Sequence, residues 1–127
     1  MGKISLLILA KNEEKNIKEC IESCPFADEI IVIDANSDDK TKIIAESLGA
    51  KVINRSMNGD WGGQQTFAIQ QASCEWIFFI DADERCTPEL STEVKNTVVA
   101  ENVRLSGIFT DEIIEANTVD EKILEVV

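Results

Sequence analysis

The chain has 127 residues, enough for one domain with a real core, and its 44% hydrophobic and 28% charged content is ordinary for a globular protein. A net charge of −12 argues against a nucleic-acid backbone or an anionic membrane surface as partner. Histidine is absent, which removes Ser-His triads, His general bases and His-metal sites.

The apolar run at residues 4–9 follows a single lysine and looks like a weak signal peptide. It lacks a small-residue cleavage site and a charged segment follows at once, so a first buried strand is expected; no stretch approaches transmembrane length. Lys11 to Asn16 is polar and turn-forming, and Ile17, Cys20, Ile21 and Cys24 then recur at helical spacing until Pro25. Residues 29–33 form a second buried strand ending at Asp34. Asn36-Ser37-Asp38-Asp39 offers N-cap residues for a helix carrying Ile43, Ile44 and Leu48, closed by Gly49. A short third strand is expected at 51–54, a Gly- and Asn-rich loop at 56–63, and a helix at 64–72 with Phe67, Ala68 and Ala72 inward. Strands alternating with helices imply a mostly parallel sheet covered on both faces.

Trp76-Ile77-Phe78-Phe79-Ile80 is a fourth strand, buried on both faces, and it stops at a carboxylate. Asp81 and Asp83 are an i, i+2 pair, and extended backbone would aim both side chains the same way. Two hard oxygen ligands at a strand's carboxyl end can hold Mg²⁺ or Mn²⁺, although an isolated D-x-D is more simply a solvated acidic turn that ends the strand. Thr87 and Pro88 then start a helix with Leu90, Val94, Thr97 and Val98 on its apolar face. Residues 103–109 are expected to be a strand, and 111–127 an amphipathic helix, with a helix plus a strand as the alternative. The domain reading is therefore a main body at 1–102 and a short extension at 103–127, a strand plus amphipathic helix packed on it. The four cysteines lack a C-x-x-C pair and read as packed thiols in a reducing cytoplasm.

Polar groups recur where strands end: Lys11-Asn12-Glu13, Asp34-Ala35-Asn36-Ser37 and Asp81-Ala82-Asp83. In a parallel sheet these ends lie along one edge and face one crevice, where ligands of open α/β sheets bind. Singly, each is explained by helix capping or a turn.

These motifs resemble the family 2 glycosyltransferases, whose nucleotide-sugar-binding half has the GT-A fold. The likeness is carried by Ile8-Leu9-Ala10-Lys11-Asn12-Glu13-Glu14, by Ile31-Val32-Ile33-Asp34-Ala35-Asn36-Ser37-Asp38-Asp39, and by Phe79-Ile80-Asp81-Ala82-Asp83-Glu84. The run Asp81 to Arg85, written D-A-D-E-R and followed by Thr87-Pro88-Glu89-Leu90, is most similar to the lipopolysaccharide-core and β-glucosyltransferase branch. The resemblance spans roughly residues 3 to 100. It implies an α/β, Rossmann-like GT-A fold, truncated to its donor-binding half. It also implies a nucleoside-diphosphate sugar as ligand, a UDP-sugar by preference, and a homo-oligomer if an exposed sheet edge is left to pair. Ala10, Asn12, Glu13, Asp34, Asn36, Ser37 and Gln65 would then line the nucleotide, with Asn12, Glu13 and Asp34 on base and ribose. Asp81 and Asp83 would hold the divalent cation that bridges the diphosphate.

A cation neutralises charge on the departing diphosphate, and inverting transfer needs a further carboxylate to deprotonate the acceptor. No such base is evident: Glu112, Glu115 and Asp120 read as a solvated acidic face. Gln65-Thr66 stands where this branch has Arg-Asn, so that position offers a hydrogen bond without a charge. The sequence thus predicts a chain that binds donor and transfers poorly, or a non-catalytic nucleotide-binding or interaction module. A phosphoacceptor receiver domain would need a lysine at a late strand end, and none lies between Lys95 and Lys122.

Overall fold

The apolar run at the amino terminus becomes the central strand, β1 (Ile4–Ala10), which bonds in parallel to β2 (Glu29–Asp34) on one side and to β4 (Trp76–Asp81) on the other. The computed structural model describes residues 2–99, 113–117 and 122–126. Beyond β2 lies β3 (Lys51–Asn54), and beyond β4 lie β6 (Lys122–Val126) and β5 (Ile113–Asn117), giving the order β3-β2-β1-β4-β6-β5. Every pairing is parallel except β5 with β6.

Continuous apolar strands are explained by cover on both faces. One face sets Leu6, Ile8, Val32, Trp76 and Phe78 against α1 (Ile17–Glu22), α2 (Thr41–Ser47) and α4 (Pro88–Val99), through Ile17, Cys20, Ala45, Val94 and Val98. Phe26 meets Phe78 edge-on, centroids 5.1 Å apart. The other face sets Leu7, Ile31, Ile33, Ile77 and Phe79 against Ala68 of α3 (Trp61–Gln71).

Several expectations shift. α1 ends at Glu22, and Cys24 is buried in the turn beyond it, its N–H on the Ile21 carbonyl at 3.0 Å. In α2 the inward pair is Thr41 and Ala45, an i, i+4 row, while Ile43 is 68% exposed. α3 starts at Trp61, earlier than expected, because Asp60 caps it by accepting the Gly63 N–H at 2.9 Å.

The tail differs most: segments 113–117 and 122–126 are strands, not an amphipathic helix. Without β6, the outer edge of a strand buried on both faces would leave a row of N–H and C=O groups unpaired. Ile113, Ile114, Ile123 and Val126 have the β-branched character that such a strand pair favours. The strand expected at 103–109, and Glu112 and Asp120, lie outside the described residues. Among the described residues no helix is long and apolar enough to cross a membrane.

Candidate functional site

Strand register sets the site. Ala10 lies beside Asp34, Leu9 beside Asp81, and Asp34 beside Asn54, so four carboxyl ends finish nearly level. Past β1 and β2 the chain turns sharply at Asn12 (φ 53°) and Asn36 (φ 56°), left-handed positions that asparagine tolerates better than most residues.

The two loops are stitched together. Asn12 donates its N–H to Ser37 Oγ at 2.8 Å, and its Oδ1 accepts the Asp38 N–H at 2.7 Å. Glu13 N–H donates to Thr41 Oγ1 at 2.8 Å, Glu14 N–H to Asp39 Oδ2 at 3.1 Å, and Lys40 N–H to Glu14 Oε1 at 3.0 Å. Asn36 exchanges hydrogen bonds with the Asn54 side chain, at 3.0 and 2.7 Å. Burial pushes the Asp39 carboxyl up, yet hydrogen bonds from Thr41 and the Glu14 N–H hold it below the usual carboxylate range. Asp34 is 4% exposed, and its Oδ1 accepts from the Ser37 N–H and hydroxyl. Several residues expected to face a nucleotide are thus occupied in shaping the rim, Asn12, Asn36 and Ser37 foremost.

At the end of β4 the backbone does not stay extended. The Glu84 N–H closes on the Asp81 carbonyl at 2.9 Å, so Asp83 rides a turn and the expected i, i+2 alignment is replaced. Asp81 and Asp83 are both exposed, while Ala82 between them is buried. Arg85 clamps this turn to α1: Nη1 donates to the carbonyls of Ala82 (3.2 Å) and Glu84 (2.8 Å), and Nη2 to Asn16 Oδ1 (3.2 Å). Beneath it, Cys20 Sγ lies 3.4 Å from the Asp81 carbonyl, and burial first, with nearby Cys24, pushes that thiol up to about 12. It is a packed thiol, not a nucleophile.

A cavity of about 160 Å³ opens at these ends, lined by Leu9, Trp61, Gln65, Phe79, Ile80, Asp81 and Glu84. A slot of about 60 Å³ adjoins it, lined by Leu9, Ala10, Lys11, Ala35, Met57, Trp61 and Gln64. Gln65 and Asp81 therefore share a cavity, and Ala10 lines its neighbour. A wider hollow of about 640 Å³ lies at the amino ends of the strands, beside Lys3, Glu29 and Lys51, away from the polar strand ends. Among the described residues no three Asp, Glu or Cys side chains are grouped to hold a metal ion. Hard carboxylate oxygens at the turn suit Mg²⁺ or Mn²⁺, provided phosphate oxygens and waters complete the set.

Trp61, Glu84 and Lys11 also line the site; Lys11 and Glu84 lie inside motifs read from the sequence but were not assigned there to ligand binding, and Trp61 was placed only in a loop. Asp60 ahead of Trp61 was the available signal, since it places Trp61 in the first turn of α3. Gln64 is also unexpected there. It is 1% exposed, donates to the Arg55 carbonyl and accepts from Arg55 Nη1, both at 2.7 Å, with the guanidinium 5.1 Å from the Phe67 ring centroid.

An open, largely parallel sheet with an acidic turn at its carboxyl edge defines a nucleotide-diphospho-sugar transferase fold of GT-A type. It superposes on the crystal structure of glucosyl-3-phosphoglycerate synthase from Mycobacterium tuberculosis, solved with Mn²⁺, uridine diphosphate and glucosyl-3-phosphoglycerate. The TM-score is 0.62 with 26% identity, covering 84% of this chain and 40% of that one. The sequence pattern of Glycosyl transferase family 2 matches residues 5–123, and the chain belongs to that family. It is 46% identical over 101 residues to an uncharacterized glycosyltransferase of Rickettsia bellii, across 79% of this chain and 34% of the relative. It is 40% identical over 86 residues to the lipopolysaccharide core biosynthesis glycosyltransferase LpsC of Rhizobium meliloti, across 65% and 32% respectively. The chain spans about a third of the length of the curated relatives it matches.

Proposed function

We propose that the chain is the donor-binding part of a glycosyltransferase, which takes a nucleoside-diphosphate sugar, a UDP-sugar by preference, with Mg²⁺ or Mn²⁺. The observation that carries this reading is the cavity shared by Gln65, Asp81 and Glu84, one strand away from buried Asp34. Asp34 and Glu13 would face the nucleoside, with Ala10, Asn12, Asn36 and Ser37 forming the rim around it. Asp81 and Asp83 would hold the cation, which neutralises charge on the diphosphate as it leaves. The Mn²⁺ and uridine diphosphate bound by the M. tuberculosis synthase support this choice. Likeness to LpsC supports an acceptor from cell-envelope polysaccharide. Free thiols at all four cysteines fit a cytoplasmic setting. Edge strands β3 and β5 offer the route for a homo-oligomer.

One observation favours a second reading, a nucleotide-binding module that does not transfer. The cavity is lined by two acids and no cationic side chain, because Gln65 carries no charge. Diphosphate binding in this cavity would then lean on the metal, with Lys11 only in the adjoining slot. Calorimetric titration of UDP, GDP and CDP with and without Mn²⁺ tests donor binding, and a labelled sugar nucleotide tests turnover. Saturable binding of one nucleotide, tightened by Mn²⁺, is expected. If none binds, donor recognition is wrong; binding without any sugar transfer or donor hydrolysis would select the second reading.

A further inference from the structure

We propose that Trp61 is the aromatic platform on which the donor's nucleobase stacks, and that the slot beside it is the base subsite. This deepens the donor-binding reading and rests on it. Trp61 is 47% exposed, whereas Trp76, the chain's other tryptophan, is fully buried. An indole held half in water beside a binding crevice is not needed for the core. It lines both strand-end cavities, the acidic one with Asp81 and the apolar slot with Ala10, Ala35 and Met57. A flat heterocycle belongs in the apolar slot and a diphosphate with its cation in the acidic one, so a ligand spanning both must pass the ring.

The backbone that carries the ring is also set beforehand. Asn58 (φ 51°) and Gly59 (φ 75°) both take left-handed backbone, and the Asp60 N–H closes on the Met57 carbonyl at 2.8 Å, a tight turn of the primed kind. Asp60 then caps α3 on the Gly63 N–H, and a Cβ on Gly63 would fall 2.1 Å from Asp60 Oδ2, so a side chain there would have to displace the capping carboxylate. Gly62 adds no side chain beside the indole. The turn brings Met57 into the same slot, where its thioether gives adaptable apolar contact. A rigid aromatic on a fixed turn loses little freedom on binding.

Stacking of a base on an aromatic ring is worth about 1–3 kcal/mol by alanine substitution, or roughly 5- to 150-fold in affinity. The test compares the full chain with Trp61→Ala and Trp61→Phe by calorimetry, using UDP with Mg²⁺ and UMP without metal. Trp61→Ala is expected to weaken both ligands by the same factor within that range, and Trp61→Phe to keep most of the affinity. Ligand should quench tryptophan fluorescence in the wild type and leave Trp61→Phe, where only buried Trp76 emits, nearly unchanged. Equal UDP affinity in wild type and Trp61→Ala overturns the assignment, as does a loss seen with UDP–Mg²⁺ but absent with UMP. Failure of the wild type itself to bind UDP or UMP would instead overturn the donor reading, and this inference with it.

Discussion

Asp81 and Glu84 hold each other at both ends of a four-residue turn: the Glu84 N–H meets the Asp81 carbonyl at 2.9 Å, and the Asp81 N–H meets Glu84 Oε1 at 2.8 Å. Glu84 is therefore a brace for the acidic turn as well as a wall of its cavity. Asp83→Ala should abolish the tightening of UDP binding by Mn²⁺ while leaving metal-free UDP binding in place. Glu84→Gln keeps the oxygen acceptor and should lose less of that tightening than Glu84→Ala. Titrations with and without Mn²⁺ read both effects, and Mn²⁺ tightening that survives Asp83→Ala would remove the turn from the metal site.

Asp34→Asn should weaken free UDP and a UDP-sugar by the same factor, since the residue lies at the β2 end and the sugar beyond the diphosphate. Asparagine keeps the size of the buried side chain and one acceptor for Ser37, so melting should change modestly. Competition between UDP and UDP-glucose measures it. A loss restricted to the sugar nucleotide contradicts the layout.

How much of this was legible in the sequence follows from where each signal comes from. The five-residue run ending at Asp81 and the run 29–33 ending at Asp34 announced buried parallel strands, because a strand covered on both faces has no polar alternation to lose. Period-based helix faces held in α1, α3 and α4 and for Ile44 and Leu48 of α2, but Ile43 is exposed and Thr41 is buried instead, since its Oγ1 accepts from Glu13 and donates to Asp39. The acidic turn was legible only as the alternative to an extended Asp81/Asp83 pair, because the contacts that accompany it, such as Arg85 to Asn16, come from residues distant in sequence. Strands 113–117 and 122–126 were hidden because acids interrupt their short apolar runs, and only the open edge of β4 selects pairing over a helix.

The contrast between Phe78 and Ile43 makes the packing reading measurable. Phe78 is fully buried in β4 against Phe26, and Phe78→Ala should cost about 3–5 kcal/mol of stability. Ile43→Lys on the exposed side of α2 should stay within about 0.5 kcal/mol of wild type. Urea unfolding at equal protein concentration separates them, and comparable losses would mean that the α2 face is wrongly placed.

At the opposite end of the sheet, Glu29 ties three elements together. It accepts from the Ser5 hydroxyl at 2.6 Å, and from the Ser73 N–H and hydroxyl at 3.0 Å. Burial pushes its carboxyl up, but the hydrogen bonds from Ser5 and Ser73 prevail and hold it below the ordinary glutamate value. A carboxylate whose folded value is depressed contributes stability above its unfolded pKa and loses it as pH falls through the folded value. Melting temperature should therefore drop as the pH is lowered from about 5 through the acid range. Glu29→Gln, which cannot ionise, should start from a lower melting temperature near neutrality and show a shallower acid slope. Parallel melting curves for the two proteins across this range would remove Glu29 from the acid response.

Arg85 offers the last test, because its hydrogen bonds reach the turn from behind and not from the cavity. Its guanidinium spans the Ala82 and Glu84 carbonyls and Asn16, while the contact to Glu19 Oε1, at 3.8 Å between exposed groups, adds little. The planar fork fixes the position of Asp83 relative to α1, and lysine cannot reproduce that fork. Arg85→Ala should reduce the Mn²⁺-dependent gain in UDP affinity by severalfold while leaving metal-free UDP binding as it was. Arg85→Lys should recover only part of the gain, since it restores charge without the geometry. Calorimetry with and without Mn²⁺, paired with melting curves, separates a displaced turn from a destabilised fold. If Arg85→Ala kept the full gain from Mn²⁺, the turn would hold its shape through the Asp81–Glu84 pair alone, and the clamp would be incidental to the site.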